Sequence, residues 1–117
     1  MFVGQTLFSV LKGTEHRAEA ALLELDRAMI EATGLRSHRM LRSFGMSPIG
    51  SALHDEAREA ELGAVHFVIQ TEWDSLDLHD DFYRSDAISR AYEVLSSILV
   101  GGPYEVLYEA LEDRVAV

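Results

Sequence analysis

The sequence predicts one α+β domain of element order βαββαβ, the ferredoxin-like arrangement in which two helices cover one face of a four-stranded antiparallel sheet. Two segments, one after Thr14 and one after Ser75, carry apolar residues at helical spacing. Four other segments are alternating or rich in β-branched and aromatic residues, and they fall around the helices in this order. With 117 residues there is room for one core, so 1–117 is expected to be a single domain.

The first half of the chain predicts a strand, a helix and a second strand. The first strand runs from Phe2 to Lys12, because Gly13 then breaks it and Thr14 can cap a helix. Gly34 ends that helix, and near alternation over Leu35–Phe44 predicts the second strand. The helix has one apolar stripe for the core, formed by Ala18, Ala21, Leu22, Leu25, Ala28, Met29 and Ala32.

An insertion is predicted at 45–63, between the second and third strands. Its first part is a loop by composition, and Ser51–Leu62 reads as a short, mostly polar helix that Gly63 ends. So long a connection is unusual between strands that form a hairpin. Both a lid or partner-gripping arm and a plain solvated excursion fit it.

The second half predicts a strand, a long helix and a last strand. Ala64–Trp73 is the third strand, and Asp74 or Ser75 caps the helix that follows. The stripe of this helix is Leu78, Phe82, Ile88, Ala91, Tyr92, Leu95, Ile98 and Leu99. We expect Gly101–Pro103 to end it and Tyr104–Leu111 to form the last strand.

The sheet face opposite the helices is left uncovered in this arrangement. Exposed apolar side chains there cost about 25 cal/mol per Å². Pairing of two sheets face to face removes that cost, so we expect a homodimer. The residues concerned are Val68 and, on the last strand, one of two alternating sets, either Tyr104, Val106 and Tyr108 or Leu107 and Leu111.

Composition and charge exclude several classes of partner and site. A formal charge of −10 disfavours nucleic acid and anionic membranes, which both require a cationic surface. No apolar run is long enough to span a bilayer, and the start of the chain lacks the basic region of a signal peptide. Without cysteine there is no disulfide and no cysteine metal site, and no His and Asp spacing indicates another metal site. The cytoplasm is the expected compartment.

Cations gather in one short stretch of this acidic chain. Arg36, Arg39 and Arg42 alternate there with His38. They either offset neighbouring carboxylates or anchor a small anion, and the first interpretation is the commoner one for surface arginines.

Residues 68–109 combine several features in a fixed order: a strand ending in Glu-Trp, a capped turn, a helix opening with acidic and His or aromatic residues, a Ser before its middle and a Tyr-bearing last strand. The residues that carry them are Glu72, Trp73, Ser75, Phe82, Ser85 and Tyr108. This set resembles the antibiotic biosynthesis monooxygenase family of dimeric α/β barrels. The resemblance is weaker over the first strand and helix and absent at 45–63.

The resemblance implies oxidation of a phenol, quinol or polyketide-like ring by O₂ without flavin, metal or haem, so no cofactor is expected. Such a site has to bind a flat aromatic molecule, favour its deprotonated form and exclude water. His79, one turn into the second helix, is the candidate proton acceptor or ring-hydroxyl partner. The candidate apolar slot consists of Trp73, Phe82, Tyr83, Phe67 and Phe8.

Departures from the family pattern keep other functions open. Many members have His where this chain has Phe82, and the haem-degrading branch needs an Asn, a Trp and a His that are replaced by Thr6, Phe82 and Tyr92. Haem degradation is therefore not expected.

Trp73 could be a packing residue and His79 a half-exposed surface residue. A non-catalytic ligand-binding protein and a structural dimeric barrel are the alternatives to an oxygenase.

Overall fold

The protein has the predicted βαββαβ order, as seen in a computed structural model that describes residues 1–45 and 63–111. The insertion predicted at 45–63 lies outside the described residues except for its two end positions. The elements are β1 (Phe2–Leu11), α1 (Glu15–Ile30), β2 (Leu35–Arg42), β3 (Ala64–Trp73), α2 (Leu76–Tyr83), α3 (Asp86–Leu95) and β4 (Leu99–Glu109).

The four strands form one antiparallel sheet in the order β2-β3-β1-β4. The two central strands, β1 and β3, pair along their whole length, from Phe2 opposite Trp73 to Leu11 opposite Ala64. β4 lies on the other side of β1 and places Glu105 opposite Thr6. The sheet thus aligns the carboxyl end of β3 with the end of β4 across the beginning of β1, and Glu105 lies further in along β4.

The core lies between the sheet and the helices. Alternate residues of the central strands are buried: Gly4, Thr6, Phe8 and Val10 on β1, with Phe67, Ile69, Thr71 and Trp73 on β3. The stripe of α1 meets them with Ala18, Ala21, Leu22, Leu25 and Met29, and α3 adds Ile88, Ala91 and Leu95. α1 also packs beside α3. This burial pattern confirms the predicted single layer of helices on one sheet face.

The second helix is broken where the sequence predicts one long helix. α2 ends at Tyr83 and α3 begins at Asp86, with Ser85 between them in extended conformation. Ser85 makes no side-chain cap hydrogen bond, but the carboxylate of Asp86 in the first turn suits the positive end of the new helix. The break lets α2 turn towards Trp73 while α3 follows α1.

The predicted boundary between helix and last strand is also wrong. α3 ends at Leu95, and β4 begins at Leu99 instead of Tyr104. Gly101–Pro103 therefore lies inside β4, where the pairing with β1 shifts register between Leu7 and Ser9. β4 is an edge strand, and edge strands accommodate a bulge with glycine and a proline without losing a central ladder.

Two assignments of residues to sheet faces are decided by the register. Tyr104, Val106 and Tyr108 pair with Leu7, Gln5 and Val3, so this set, not Leu107 and Leu111, lies on the uncovered face. Strict alternation would put Leu35 on the face of Ser37, but a register shift between the two turns Leu35 towards the core.

Candidate functional site

Aromatic side chains from α2 gather on Trp73, the last residue of β3. Ser75 caps α2 by accepting a hydrogen bond from the Leu78 backbone N–H, which fixes the direction of the helix directly after the strand. His79, Phe82 and Tyr83 follow at helical spacing and therefore share one face of α2. Their ring centres lie 5.6, 5.6 and 6.5 Å from that of Trp73. These four residues form the Trp73 cluster.

His79 is buried in this cluster, with 5% of its surface exposed. Its ring stacks on Tyr83 at 4.5 Å and meets Trp73 edge to face. The sequence alternative of a half-exposed surface histidine is therefore wrong. A buried polar atom without a hydrogen bond costs about 1–3 kcal/mol, so each of the two ring nitrogens of His79 needs a hydrogen-bond partner.

Both ring nitrogens of His79 face carboxylates. Nε2 lies 2.7 Å from Oε1 of Glu105 on β4, and Nδ1 lies 2.8 Å from Oδ1 of Asp80, its neighbour on α2. Ionised carboxylates only accept hydrogen bonds, so the imidazolium form, which donates from both nitrogens, satisfies both partners. The two carboxylates lie on opposite sides of the ring and do not converge on one metal position.

Glu105 is the site residue that sequence reasoning missed. Its place opposite Thr6 turns it towards the helices, and its side chain is largely buried. Side chains along β4 alternate between the two faces of the sheet. With Tyr104 and Val106 on one face, Glu105 is a charged residue on the face that meets the core, and this is the signal that could have revealed it. The sequence left the two faces of β4 undecided, so this signal could not be used.

Two tyrosines near Glu105 have altered acidity. Burial raises the pKa of the Tyr83 phenol, a hydrogen bond with Thr6 opposes that change, and the charge of Glu105 raises the pKa further. Burial and the charge of Glu105 also raise the pKa of Tyr92. The Tyr83 hydroxyl lies 3.4 Å from Oγ1 of Thr6. Both phenols therefore stay neutral well beyond the pH at which free tyrosine ionises.

Phe8 and Phe67 lie elsewhere in the core. They stack on each other with ring centres 5.2 Å apart, directly opposite in the β1–β3 ladder. Phe67 is six residues before Trp73 along β3, which corresponds to roughly 20 Å of strand. The six predicted slot and acceptor residues thus form two groups, the Trp73 cluster and this pair, and a role for either group in binding stays a prediction.

Of three cavities lined by described residues, one reaches the Trp73 cluster, and His79 lines none of the three. One of about 370 Å³ reaches Phe82 from the ends of α1 and α2, where Ala32 and Thr33 line it. Another of about 250 Å³ lies between α1 and β2 and touches Phe67. A third of about 340 Å³ lies beside the Phe8 and Phe67 pair, with His66 and Tyr104 in its lining. The rings of the cluster itself are in mutual contact.

Two of the three arginines of β2 have acidic partners. Arg36 pairs with Asp74, and Nη1 of Arg42 donates to Glu19 at 2.5 Å. These contacts favour the interpretation that the arginines offset carboxylates.

None of the helices in the described residues is long and apolar enough to cross a membrane.

Comparison with known proteins gives structural neighbours only. No protein-family model matches the chain, and no curated protein matches it in sequence. One similar structure is a putative antibiotic biosynthesis monooxygenase from Nitrosomonas europaea, with a TM-score of 0.73, 13% identity and coverage of 96% of this chain and 100% of that one. Another, of the same description, comes from Deinococcus radiodurans, with a TM-score of 0.71, 17% identity and coverage of 100% and 99%.

A third neighbour has a named activity. It is SnoaB, a cofactor-independent oxygenase from Streptomyces nogalater, with a TM-score of 0.64, 12% identity and coverage of 96% and 95%. Identities this low establish a shared fold, and the fold is the one that the sequence resemblance implied.

Proposed function

We propose that this chain, which has the fold of the antibiotic biosynthesis monooxygenases, oxidises a small aromatic, quinol or polyketide-like molecule with O₂ and without a cofactor. The observation that carries this proposal is a buried imidazole held between two carboxylates at the Trp73 cluster. Residues that move protons are commonly found where burial and charge partners meet in this way. The neighbour described as a cofactor-independent oxygenase supports the same chemistry.

The reaction needs a proton acceptor and a stabiliser of negative charge. Loss of a proton makes the substrate ring electron-rich enough to reduce O₂ directly. A C–O bond then forms, and loss of water leaves a carbonyl, so that a ring CH₂ and O₂ become C=O and H₂O. The imidazolium of His79 is suited to stabilise the ring anion, because its two charge-assisted hydrogen bonds hold it in place in a dry environment.

The test is O₂ consumption by metal-free protein with a panel of hydroquinones and anthrones. We expect protein-dependent turnover, and we expect His79→Ala to lower kcat/KM by roughly 100-fold, as is usual for loss of a group that stabilises developing negative charge. His16, exposed on α1, provides the matched control His16→Ala, which should leave turnover unchanged. Trp73→Phe keeps an aromatic ring at this position, so it tests whether the indole contributes to turnover beyond its packing.

Failure of wild type to consume O₂ across the panel, with the fold intact by circular dichroism, would remove the oxygenase proposal. So would equal turnover by wild type and His79→Ala. These results would support a non-catalytic ligand-binding or structural role. One observation favours that second candidate: the rings of the Trp73 cluster contact one another and leave His79 only 5% exposed.

We also propose that the protein works as a homodimer joined through the open face, the sheet surface turned away from the helices. Three apolar side chains of β4 stand exposed on it: Tyr104, Val106 and Tyr108. β2 contributes the exposed Leu41, which pairs with Val68 of β3. A continuous apolar surface across the sheet favours burial against a second copy.

A further inference from the structure

One oxygen of the Glu105 carboxylate has no hydrogen-bond partner. Oε1 is bonded to Nε2 of His79, but Oε2 is fully buried and no donor in the described residues reaches it. Buried carboxylate oxygens almost always have donors, since leaving one unpaired costs about 1–3 kcal/mol or more. The arrangement is therefore incomplete by one hydrogen-bond donor.

The position of Oε2 depends on a glycine. Gly4 lies next to Glu105 across the β1–β4 ladder, and a Cβ atom on Gly4 would collide with Oε2. The same Cβ would lie 2.9 Å from Oγ1 of Thr71, which already accepts the hydrogen bond of Trp73 Nε1 at 2.9 Å. The absence of a side chain at Gly4 thus leaves the space that Oε2 occupies beside the Trp73 cluster.

The neighbours of Glu105 suit a neutral hydroxyl ligand. The charge of Glu105 raises the pKa of both Tyr83 and Tyr92, so this carboxylate lies among aromatic hydroxyl groups that stay neutral. Tyr83 is half-buried and stacks on His79 at 4.5 Å, so a flat ligand reaches Oε2 only where this ring moves aside. A ligand hydroxyl brought there would supply the missing donor to Oε2.

We propose that Oε2 of Glu105 accepts the hydrogen bond of a ring hydroxyl on the aromatic substrate and takes its proton, while His79 holds the carboxylate through Oε1. The inference rests on the proposed function and assigns its proton acceptor. The proton passes from the ring oxygen to Oε2, which leaves a phenolate and a neutral carboxylic acid beside the imidazolium. His79 is then a positioning residue, and the substrate class is narrowed to hydroxylated aromatics.

Binding tests this assignment separately from turnover. Trp73 is the only tryptophan, so its fluorescence reports ligands that reach the cluster. The probes are 2-hydroxyanthraquinone and its methyl ether, used at a pH where the free hydroxyl form is neutral. Wild type should bind the hydroxyl probe at least about tenfold more tightly, because a hydrogen bond to a charged acceptor is available to this probe alone.

Glu105→Gln is the decisive variant, since it keeps the size of the side chain and removes its charge. We expect it to reduce the hydroxyl preference to less than about threefold while affinity for the methyl ether stays the same. His79→Gln, which keeps a donor for Oε1, should retain more of the preference than His79→Leu. Melting temperatures of all variants confirm that each is folded.

Each outcome bears on the assignment. It is overturned if wild type shows no hydroxyl preference, or if Glu105→Gln keeps that preference, whatever the O₂ electrode shows. A preference that depends on Glu105 in a protein without turnover would support the acceptor site and remove the monooxygenase. Turnover that persists in Glu105→Gln with an unchanged pH profile would keep the monooxygenase and reject Glu105 as its base.

Discussion

At the scale of single residues, the candidate site depends on one charged pair placed in an aromatic environment. His79 and Glu105 come from different elements, 26 positions apart, and meet at 2.7 Å. Ion pairs on a surface contribute little to stability, whereas removing one member of a buried pair costs roughly 3–5 kcal/mol. The pair of His79 and Glu105 therefore requires the surrounding residues, including Gly4, to leave space for both side chains.

Gly4→Ala is expected to disturb this pair more than it disturbs the strand. The new methyl group would collide with Oε2 of Glu105, so either the carboxylate or β1 has to move. We expect a loss of about 1–3 kcal/mol in the free energy of unfolding, measured by urea denaturation.

Gly101→Ala is the matched control for this change. A Cβ there would meet its nearest neighbour, Cβ of Ser9, at the ordinary distance of 3.8 Å. It should change stability by less than about 0.5 kcal/mol. Equal losses in the two variants would show that general strain in the strands, and not the Glu105 carboxylate, determines the effect.

Alkaline pH should destabilise the protein through Tyr83 and Tyr92. Their pKa values are raised above the ordinary 10.0 in the folded state, so above about pH 10 the unfolded chain loses protons that the folded chain keeps. The free energy of unfolding therefore falls as pH rises through this range, and the stabilisation is fully present below it. Urea titrations from pH 8 to about pH 12 measure this slope.

Substitution by phenylalanine assigns the alkaline slope to particular rings. Tyr83→Phe should flatten the slope above pH 10, and Tyr92→Phe should flatten it as well. Below about pH 9 neither variant should change the slope, which provides the internal control. An unaltered slope in both variants would mean that other groups cause the alkaline loss.

At the scale of elements, the break between α2 and α3 positions the site. A continuous helix after Ser75 would have to follow one axis, but the turn at Ser85 lets α2 pack on Trp73 and α3 on α1. The two caps of these helices differ in chemistry. Ser75 Oγ accepts from the Leu78 N–H at 3.3 Å, whereas Ser85 Oγ is buried and has no hydrogen-bond partner within 1–45 and 63–111.

Ser75→Ala and Ser85→Ala form a matched pair that separates these two roles. Loss of the Ser75 cap should cost about 1 kcal/mol and fray the start of α2, near His79. Ser85→Ala removes a buried unpaired hydroxyl, so it should be neutral or slightly stabilising. Urea denaturation measures both changes, and amide hydrogen exchange at Leu78 locates the fraying. A larger loss for Ser85→Ala would contradict the assignment of the caps.

At the scale of the whole molecule, the open face determines how copies of the chain associate. Its exposed apolar residues lie on the side of the sheet opposite the site, so a partner can cover them without touching His79. The net charge of −10 opposes association at low salt, and the apolar surface has to overcome that repulsion.

Tyr104→Glu should convert the proposed dimer into a monomer. A carboxylate at the centre of a sheet-to-sheet contact would be buried without a partner, which costs several kcal/mol. Sedimentation velocity over a range of protein concentrations measures the change. Ile30→Glu, at an equally exposed apolar position on α1, is the control and should leave association unchanged. If wild type is itself monomeric at all concentrations, the dimer proposal is wrong.

The amino-acid sequence by itself determined the fold class and most of the buried residues. Periodicity of two on β1 and β3 and the apolar stripe on α1 are local patterns, and local patterns decide which side of an element faces the core. The family resemblance in the sequence also pointed to Trp73, His79, Phe82 and Tyr83 as candidate site residues, and the structure brings these four rings together.

Only the tertiary structure decided the partners of these residues. Glu105 meets His79 because β4 pairs with β1 in one particular register, and a register is set by long-range packing that periodicity does not specify. The same holds for Phe8 and Phe67, which were expected to share one apolar slot with Trp73 on the strength of the family resemblance but which the length of β3 keeps away from it. A local pattern fixes the face on which a residue lies, whereas the chemistry of a site depends on which faces the fold brings together.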